Sequence, residues 1–559
     1  MSAFNWPEQY LNAIHSGDEV VSTKVRETYE REVGFMKNPP KDFPYYFDPE
    51  RGNHHIGFME KFCRMSKGSS AKKQIRFELF QKAKLQLVFG WVEKGTNFRR
   101  FKEVDDYRGR KCGKSTETAA VEWDIALNDH EYGAEIYCTA NKKDQAKLIY
   151  NECVNMRLQS NALAALSKKR QSDIYIETFM SFIMPLASDT STMDGLNTHF
   201  FSLDEFHAMK TRSLYDIMIQ SQTARDQPLA WLISTNGFVR EGFFDTQYDY
   251  DSNVAMWIPG YQDLRTLPLI YELDERGEWE APECWGKANP GLGKIKKYKT
   301  LQEFVSKAYR DKTFLPTVLT KDFNVAENSA ESWLTLDQIT NKTIVDMEYL
   351  RNSYAVGGCD LSSTTDLTCA TLLIRKPGDP RFFVLQKYFI PEKKLNDHEH
   401  TDKREAPYDK WHKDGWLCVC DGATVNFHDV TEWFAMMVNE YNIRPLYIGY
   451  DAALSGYWRE EMENYGFNME KIRQGPFTWT YPMKEMGGMF DEKRIVYNDN
   501  PMLRWCLANT GKKTLNKDGI ESIQPVKVNT NRRIDGMVSL LNAYTCFKNN
   551  EEDYMSWIK

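Results

Sequence analysis

Hydrophobic and polar positions form two successive patterns along this chain. Between residues 98 and 235, short apolar runs alternate with amphipathic segments, which is typical of a parallel sheet covered by helices. The predicted strands there are residues 135–139, 199–203 and 229–234, and residues 142–156 form a predicted helix. After residue 353, the pattern predicts strands at residues 354–360, 368–374, 381–389, 416–420 and 445–450, with helices at 429–441 and 535–547. Three consecutive strands followed by alternating helices and strands is the order of an RNase H-like fold.

These patterns divide the chain into four predicted segments. Residues 1–70 are a helical lead-in interrupted by prolines, and residues 71–275 form the first sheet domain. Residues 276–345 are more polar and form a linker or a small helical subdomain, and residues 346–559 form the second sheet domain. A chain of 559 residues exceeds what one hydrophobic core usually serves, so two large domains are expected.

Composition limits the location and the partners of the chain. No run of 18 apolar residues predicts a membrane span, and the N-terminus lacks the features of a secretory signal, so we expect a cytosolic protein. The net charge is −7, so nucleic acid would have to bind local basic patches. The eleven scattered cysteines fit reduced thiols. Cys418 and Cys420 lack a second pair of ligands, which argues against structural zinc.

A candidate nucleotide site combines a phosphate-binding turn with two adjacent acids. Gly113, Lys114 and Ser115 would supply backbone N–H groups, a cation for the phosphates and a hydroxyl for Mg²⁺. The full G-x-x-x-x-G-K-[ST] pattern fails, because Arg108 occupies the position of the first glycine. Asp204 and Glu205 end an apolar strand downstream, where they would serve Mg²⁺ and the attacking water. Residues 233–237 end another strand with small polar groups that could sense the γ-phosphate.

Three separate aspartates form a candidate nuclease site. Asp360 and Asp451 each end an apolar strand, where an acid is costly to bury without a cation or a donor. Asp535 opens the last predicted helix and would bring a third carboxylate to the same cluster. Carboxylate ligands favour Mg²⁺ or Mn²⁺, and two such ions about 4 Å apart would activate water and stabilise the leaving oxygen. Asp366 is either an auxiliary ligand or a turn residue.

Basic residues flank the third acid. Lys527, Arg532 and Arg533 either hold the DNA backbone or belong to a solvated loop. The sequence therefore combines the chemistry of ATP hydrolysis with that of metal-dependent phosphodiester cleavage. The predicted fold class is α/β, with a P-loop-type (ASCE-like) parallel-sheet ATPase domain followed by an RNase H-like (RuvC-like) nuclease domain.

From about residue 43 to its end, the chain resembles the large terminase subunit of tailed bacteriophages and prophages, which packages and cuts viral DNA. Seven motifs carry the resemblance in order: residues 43–48 (FPYYFD), 89–92 (FGWV), 110–115 (RKCGKS), 144–147 (DQAK), 204–207 (DEFH), 358–363 (GCDLSS) and 533–536 (RIDG). The family carries a deviant P-loop with a basic residue near the lysine, which accounts for the missing first glycine. Cys112 stands where close relatives are expected to have asparagine.

The resemblance implies a role for each matching residue. Lys114 and Ser115 would contact phosphate and Mg²⁺, Asp204 would hold the Mg²⁺, and Glu205 would be the catalytic carboxylate of the ATPase. The ATP-binding residues would be Gln81, which would read adenine, Arg110, which would sense the γ-phosphate, and Lys111, Gly113, Lys114, Ser115, Thr116 and Asp204. Asp360, Asp451 and Asp535 would be the catalytic metal ligands of the nuclease. Arg225 is a candidate for an arginine acting on a neighbouring subunit.

The family also implies cofactors and partners. The cofactors would be ATP with Mg²⁺ in the first domain and two Mg²⁺ or Mn²⁺ ions in the second. The partners would be double-stranded DNA, a small terminase subunit, the portal of an empty procapsid in the host cytoplasm, and further copies of the chain in a ring of five. Two alternatives are an ATP-dependent helicase or remodeller with a non-catalytic RNase H-like domain, and an interaction platform in which both sets of acids are structural.

Overall fold

A computed structural model of the chain describes residues 4–186, 195–209, 211–239, 242–311, 313–327, 332–362, 367–393, 406–451, 456–517, 520–528 and 532–558. The chain forms two compact units, one of residues 1–239 and 243–326 and the other of residues 240–242 and 327–559. The four segments proposed above stay a prediction. Their boundaries differ from those of the units, because residues 276–326 lie in the first unit and residues 327–345 in the second.

The helices of the two units are as follows. In the first unit they are α1 (Trp6–Ser16), α2 (Thr23–Lys37), α3 (Pro49–Phe62), α4 (Leu79–Gly90), α5 (Lys114–Asn128), α6 (Lys143–Gln159), α7 (Asn161–Ala165), α8 (Ser213–Gln220), α9 (Phe243–Ala255), α10 (Tyr298–Arg310) and α11 (Leu315–Asp322). In the second they are α12 (Leu336–Ile339), α13 (Met347–Leu350), α14 (Tyr408–Lys413), α15 (Phe427–Tyr441), α16 (Gly456–Asn464), α17 (Pro476–Asp491), α18 (Pro501–Ala508), α19 (Asp535–Asn549) and α20 (Glu551–Trp557). None of the helices described here has the length and apolar character needed to span a bilayer.

The strands follow the same division. In the first unit they are β1 (Tyr45–Phe47), β2 (Trp91–Glu93), β3 (Glu103–Tyr107), β4 (Glu135–Ala140), β5 (Lys168–Lys169), β6 (Ile174–Ile176), β7 (Ser181–Leu186), β8 (Thr198–Asp204), β9 (Leu229–Ser234) and β10 (Thr266–Ile270). In the second they are β11 (Tyr354–Asp360), β12 (Thr368–Arg375), β13 (Phe382–Pro391), β14 (Leu417–Cys420), β15 (Arg444–Tyr450), β16 (Met469–Lys471), β17 (Ile495–Val496), β18 (Thr510–Lys517) and β19 (Ile520–Lys527).

The main sheet of the first unit brings the ends of three central strands together. Its strand order over the described residues is β10-β3-β9-β8-β4-β7-β6-β5, and neighbouring strands from β10 to β7 are parallel. Strand β9 therefore lies between β3 and β8. Because parallel strands end at the same edge, the turn after β3, the acids that follow β8 and the polar residues after β9 lie close together.

Strand β3 is fully buried although three of its five residues are acids. Alternation places Asp106 on the face that α4 covers, where it forms ion pairs with Lys84 and Arg108. Asp105 and Glu103 lie on the opposite face. A search for apolar runs misses this strand, because ion pairs and hydrogen bonds compensate the burial of its carboxylates.

The opposite face of β3 contains a cluster of three buried carboxyl groups, Glu103, Asp105 and Asp251. Tyr215 donates a hydrogen bond of 2.7 Å to Glu103, and Gln247 donates to both Glu103 and Asp251 at 3.0 and 3.2 Å. Burial raises the pKa of Asp105 well above its ordinary value of 3.8, and the neighbouring acids raise it further. Burial likewise raises the pKa of Glu103 and Asp251.

We expect the substitution Asp105→Asn to stabilise the protein increasingly as the pH rises. A carboxyl group whose folded-state pKa is raised contributes stability that is fully present below its unfolded pKa and is lost as the pH rises through the folded pKa. Asparagine does not titrate. Between the unfolded and the folded pKa of Asp105, the unfolding free energy of the variant should therefore rise relative to that of the native protein by about 1.4 kcal/mol per pH unit.

Chemical denaturation of both proteins from about pH 4 to about pH 8 measures this difference. Asp144→Asn is the control, because the Asp144 side chain is 93% exposed. A difference for Asp105→Asn that stays constant with pH would contradict the raised pKa.

In chain order, the main sheet of the second unit begins with three antiparallel strands, β11 to β13, and continues with strands that pair in parallel. Its order over the described residues is β14-β13-β12-β11-β15-β16, with β17 beside β13. β12 is antiparallel to β11 and β13, whereas β15 is parallel to β11 and β14 is parallel to β13. Strands β11, β13, β14, β15 and β16 therefore end at the same edge. This arrangement agrees with the predicted RNase H-like fold and, with the parallel sheet of the first unit, confirms the predicted α/β class.

Helix α19 packs against one face of this sheet at very short distance. A Cβ atom on Gly358 would lie 2.3 Å from the carbonyl oxygen of Ser539, and one on Gly449 would lie 2.8 Å from that of Asn542. The Ser539 hydroxyl donates to the Gly358 carbonyl at 3.0 Å, and the Asn542 amide donates to the Cys359 carbonyl at 2.8 Å. The two glycines therefore set the distance between the helix and strands β11 and β15.

The strands and helices predicted from apolar patterns match the observed ones to within a few residues. The helix predicted at residues 142–156 is α6, and the five strands predicted after residue 353 are β11 to β15. The polar hairpin of β18 and β19 carries no such pattern. Lys527, which the sequence places in a DNA-binding segment or a solvated loop, is the last residue of β19.

Candidate nucleotide and nuclease sites

The turn between β3 and α5 has the conformation of a phosphate-binding loop. Lys111 and Gly113 have positive φ angles of 65° and 83°, and the helix begins at Lys114. Arg110 and Lys111 are exposed, while Ser115 and Thr116 in the first turn of α5 are half-buried. Backbone N–H groups at a helix start are free of intrahelical partners and suit an anion.

The ammonium group of Lys114 is folded back over its own loop. It donates hydrogen bonds to the carbonyl oxygens of Arg108 and Gly109, at 2.5 and 3.3 Å. Burial lowers the pKa of Lys114, and the nearby Glu205 carboxylate opposes that shift. A cation buried against neutral carbonyls and one acid is well placed to exchange those contacts for phosphate oxygens.

Arg108 replaces the expected first glycine and is used structurally. Its guanidinium donates to the carbonyl oxygen of Cys112 at 3.1 Å, inside the same loop, and pairs with Glu117 at 2.5 Å. Lys84 and Asp106 complete a buried cluster of two cations and two acids. The arginine therefore fixes the loop by side-chain bonds.

Gln81 lies next to this loop, and both ends of its amide have protein partners. Its oxygen accepts from the Glu78 N–H at 3.1 Å, and its nitrogen donates to Glu117 at 3.0 Å. A Cβ atom on Gly113 would lie 3.8 Å from the same nitrogen. The location suits a residue that contacts the nucleotide, and the adenine-reading role stays a prediction.

Asp204 and Glu205 lie across β9 from the loop. Asp204 is buried, and burial together with the neighbouring Glu205 charge raises its pKa to about 7, while Lys114 lowers it. Glu205 has a left-handed backbone conformation, with φ 52°, and its side chain is 26% exposed. Strained residues often cluster at active sites. Two adjacent carboxylates in a nearly buried position fit a divalent cation.

His207, the last residue of the 204–207 motif, contacts Glu205, and Lys321, which the sequence did not single out, contacts His207. Lys321 donates a hydrogen bond of 2.7 Å to Nε2 of His207, and Oε2 of Glu205 lies 3.4 Å from the same nitrogen. Because an ammonium group can only donate, Nε2 accepts, which places the ring proton on Nδ1, 2.9 Å from the Ser234 hydroxyl. Lys321 also donates to the Asn236 carbonyl at 2.9 Å.

Residues 276–326 complete the nucleotide site. The N–H groups of Gly109 and Arg110 donate to the carbonyls of Ala288 and Lys321, at 2.9 and 2.8 Å. A Cβ atom on Gly109 would lie 2.6 Å from Asn289 Oδ1, which explains a glycine at that position. The polar sequence here gave no signal of these contacts, because they use backbone carbonyls and single buried side chains.

Arg225 is held within its own unit. Its guanidinium pairs with Glu131 at 2.8 Å and donates to the carbonyls of Gly133 and Asn197 at 2.6 and 3.0 Å. These bonds connect three loops at the end of the sheet opposite the nucleotide site. Its action on a neighbouring subunit stays a prediction.

In the second unit, Asp360 and Asp451 end adjacent strands in register. Asp360 is the last residue of β11, and Asp451 follows β15 directly. These strands are parallel, and Cys359 pairs with Tyr450 one position earlier. The two acids therefore occupy the next paired position, on strands about 4.8 Å apart. Both are half-buried.

Asp535 lies on the same face of that sheet. Gly358 and Gly449 face α19, and residues two positions later on a strand share the same face, so Asp360 and Asp451 also face α19. Asp535 is the first residue of α19 and is only 5% exposed. Three carboxylates from two strand ends and one helix thus lie on one face of the sheet, although their oxygen atoms do not all lie within 4.8 Å of one another. Carboxylate oxygens are the ligands that Mg²⁺ and Mn²⁺ prefer. Asp366 lies outside the described residues.

Comparison with known proteins identifies the family of the chain. Residues 79–253 match the family model "Terminase large subunit, ATPase domain", and residues 263–551 match "Terminase large subunit, endonuclease domain". The chain belongs to the terminase large subunit family. This terminase is an ATPase and a metal-dependent endonuclease of viral DNA packaging, and the helicase and platform alternatives are not favoured.

Individual proteins are similar to much of this chain. The chain is 26% identical over 360 residues to "Protein YmfN" of Escherichia coli (strain K12), covering 63% of this chain and 77% of that protein. It is 23% identical over 512 residues to the terminase large subunit of Enterobacteria phage HK97, covering 88% and 94% of the two chains. The crystal structure of the HK97 large terminase aligns with a TM-score of 0.46 and 20% identity, covering 89% of this terminase and 99% of that chain.

Proposed function

We propose that the first unit hydrolyses ATP with Glu205 as the catalytic carboxylate and that the second cuts DNA at Asp360, Asp451 and Asp535. The approach of Lys114, after β3, to Asp204 and Glu205, at the end of β8, carries the first part of the proposal. The placement of Asp360, Asp451 and Asp535 on one face of the second sheet carries the second.

In the ATPase, Lys114 would exchange its two carbonyl contacts for phosphate oxygens of ATP. Because the N–H groups of Gly109 and Arg110 already bond to the protein, the phosphates would be held by later N–H groups at the start of α5. Ser115 and Asp204 would hold Mg²⁺, which neutralises phosphate charge. Glu205 would orient the attacking water and accept its proton.

Lys321 and His207 would position Glu205. Nε2 of His207 accepts its hydrogen bond from Lys321 and has no proton to donate to Glu205, so the ring limits the position of the carboxylate by contact, while the ammonium group of Lys321 supplies positive charge behind the ring. The ammonium group of Lys321 contacts His207 and the Asn236 carbonyl and would act on Glu205 only through the histidine. Lys321 is therefore a positioning residue rather than a catalytic one.

We expect Lys321→Met to reduce the kcat/KM of ATP hydrolysis by roughly 10- to 100-fold, the equivalent of one lost hydrogen bond to a charged group, about 1.5–3 kcal/mol. Steady-state kinetics on the full chain would measure this. The matched control is Lys299→Met, which replaces an exposed lysine on α10 of the same unit. Native kinetics in the Lys321→Met variant would show that the contacts of Lys321 with His207 have no role in ATP hydrolysis.

In the nuclease, Asp360, Asp451 and Asp535 would hold two Mg²⁺ or Mn²⁺ ions. When bound, such ions activate water and stabilise the leaving 3′-oxygen. Asp360 and Asp451 are fixed by the register of β11 and β15, and Asp535 is fixed by the close packing of α19. Asp360 and Asp535 therefore lie within regular elements, and Asp451 lies one residue beyond β15.

The β18–β19 hairpin would hold the DNA backbone beside these acids. Lys512, Lys513 and Lys527 line a cavity of about 400 Å³ on the hairpin. The hairpin packs on α17, where the Thr480 hydroxyl accepts from the Ile523 N–H at 2.8 Å. In a chain with a net charge of −7, such a local group of lysines is where a phosphate backbone is attracted.

We expect the double variant Lys512→Ala, Lys513→Ala to bind double-stranded DNA more weakly and with less dependence on salt. Each lost phosphate contact lowers the slope of log affinity against log salt by about 0.9. Titrations of the full chain with a chelator present, which prevents cleavage, measure the slope. Lys410→Ala, Lys413→Ala on α14 is the control, since both residues are exposed. An unchanged slope in the hairpin variant would exclude the hairpin as a DNA contact.

The packaging partners extend the same proposal. Acting in the host cytoplasm, the chain would assemble as a ring of five on the portal of a procapsid, where a small terminase subunit would present the DNA. The membership of the chain in the terminase family supports this assembly. ATP-dependent protection of DNA from added nuclease, in a mixture of this chain, portal-bearing procapsids and the small subunit, would test it. Protection that does not require ATP or the small subunit would contradict it.

A further inference from the structure

Two cysteines and an aspartate form a cluster on the second unit that the proposed nuclease does not use. The ligand atoms of Cys418, Cys420 and Asp429 all lie within 4.8 Å of one another. The sequence argued against zinc here because a second pair of ligands was missing. The structure supplies the third ligand from the first turn of α15, nine residues after the second cysteine.

The local fold explains how these side chains meet. Cys418 and Cys420 are two positions apart on β14, so both sulfur atoms lie on the same face of the strand. Among the described strands of this sheet, β14 lies at the edge and pairs with β13. The six residues from 421 to 426 lead from the end of β14 back to α15. This short return places the start of the helix over the two sulfur atoms.

A neighbouring amide orients the carboxylate of this cluster. Asn426 caps α15 by accepting from the His428 N–H at 3.2 Å, and its own amide donates to Asp429 Oδ1 at 3.3 Å. Metal-binding side chains are commonly held in this way by hydrogen bonds from a second layer of residues. Cys420 is 2% exposed, whereas Cys418 and Asp429 are half-buried, so solvent reaches one side of the cluster.

We propose that Cys418, Cys420 and Asp429 bind a thiophilic divalent cation, Zn²⁺ in the first instance, with water as the fourth ligand. Two sulfur ligands select such a cation over Mg²⁺, Mn²⁺ or Ca²⁺, which prefer oxygen. Zinc–sulfur bonds of about 2.3 Å and zinc–oxygen bonds of about 2.0–2.2 Å allow three ligand atoms at this mutual spacing. Three protein ligands with one open position are also a recurrent zinc arrangement.

This cluster is separate from the three nuclease acids. Cys420 packs with Val430 and Phe434 of α15, whereas Asp360 faces α19 on the other side of the sheet. In the strand order β14-β13-β12-β11, three strand spacings separate β14 from β11, or roughly 14 Å. The bound cation would fasten the end of the edge strand to α15, at the sheet edge where the acids also lie.

Cobalt substitution of the full chain tests this proposal. After treatment with a chelator, the protein is titrated with Co²⁺ alone, and thiolate-to-cobalt charge-transfer absorption in the near ultraviolet is recorded. We expect one equivalent of Co²⁺ to produce this band and Zn²⁺ to remove it. Co²⁺ held by the nuclease carboxylates gives no such band, so Asp360→Ala should leave it unchanged.

The variants decide between this cluster and other thiols. Cys418→Ser should abolish the band, and Asp429→Asn should weaken it, whereas Cys284→Ser, at a half-buried cysteine of the first unit, should retain it. The Cys418 side chain is half-buried, so this variant should fold even if Cys420→Ser does not. Absence of the band in the folded native protein, or its persistence in Cys418→Ser, would overturn the proposal.

Discussion

Glu205→Gln should abolish ATP hydrolysis while leaving nucleotide binding close to native. The amide retains the shape of the carboxylate and its position beside His207, but it cannot accept a proton from the attacking water. Loss of a general base typically costs roughly 10²- to 10⁴-fold in kcat. Lys114 and the start of α5 are unchanged, so the affinity for a fluorescent ATP analogue should change little.

Steady-state hydrolysis and equilibrium binding on the same preparations separate these two effects. The control is Glu177→Gln, because the Glu177 side chain is 67% exposed and far from the loop in sequence. Lys114→Ala should instead weaken the binding of the nucleotide itself. Hydrolysis by Glu205→Gln at the native rate would remove Glu205 from the catalytic role and direct attention to Asp204.

Asp360→Ala should eliminate metal-dependent DNA cleavage and leave ATP hydrolysis intact. Substitution of a residue that merely orients a metal ligand typically lowers metal affinity or activity by 10- to 100-fold. Loss of a direct ligand should therefore lower the rate of DNA cleavage by more than roughly 10²-fold.

Plasmid nicking by the full chain in Mg²⁺ or Mn²⁺ measures the first effect, and ATP hydrolysis by the same samples measures the second. Asp414→Ala serves as the control, since Asp414 is an exposed acid of the second unit. Cleavage by Asp360→Ala equal to that of the control would place the nuclease chemistry elsewhere. A simultaneous loss of ATP hydrolysis would instead indicate misfolding.

Apolar patterns predicted the framework of both sheets, because strands such as β9 and β11 are stabilised mainly by buried hydrophobic side chains. Acids at strand ends were equally visible, since a carboxylate after an apolar run needs a partner. Strand β3 was not predicted, because its burial depends on ion pairs and not on apolar side chains. Its Asp106 pairs with Lys84, which is distant in the sequence, and with Arg108, which follows the strand.

The contributions of single buried side chains were also beyond sequence reasoning. Lys321 lies in a helix whose pattern resembles that of any small amphipathic helix, and only the fold brings it to His207. Asp429 looks like an ordinary acid in the first turn of a helix, and its proximity to Cys418 depends on the course of the six residues before α15. Such long-range contacts have no periodicity along the chain.

Because α19 packs so closely in the second unit, some positions that have no chemical role there cannot accept a larger residue. Gly358, Gly449 and Gly536 have no functional groups, yet a methyl group at any of them would meet another atom at 2.8 Å or less. A change at Gly358 or Gly449 must displace the helix that carries Asp535, and a change at Gly536 must displace either that helix or the Tyr388 ring. During sequence drift, the enzyme can therefore keep all three acids and still lose their alignment, so an inventory of intact acids does not establish that a related chain can cut.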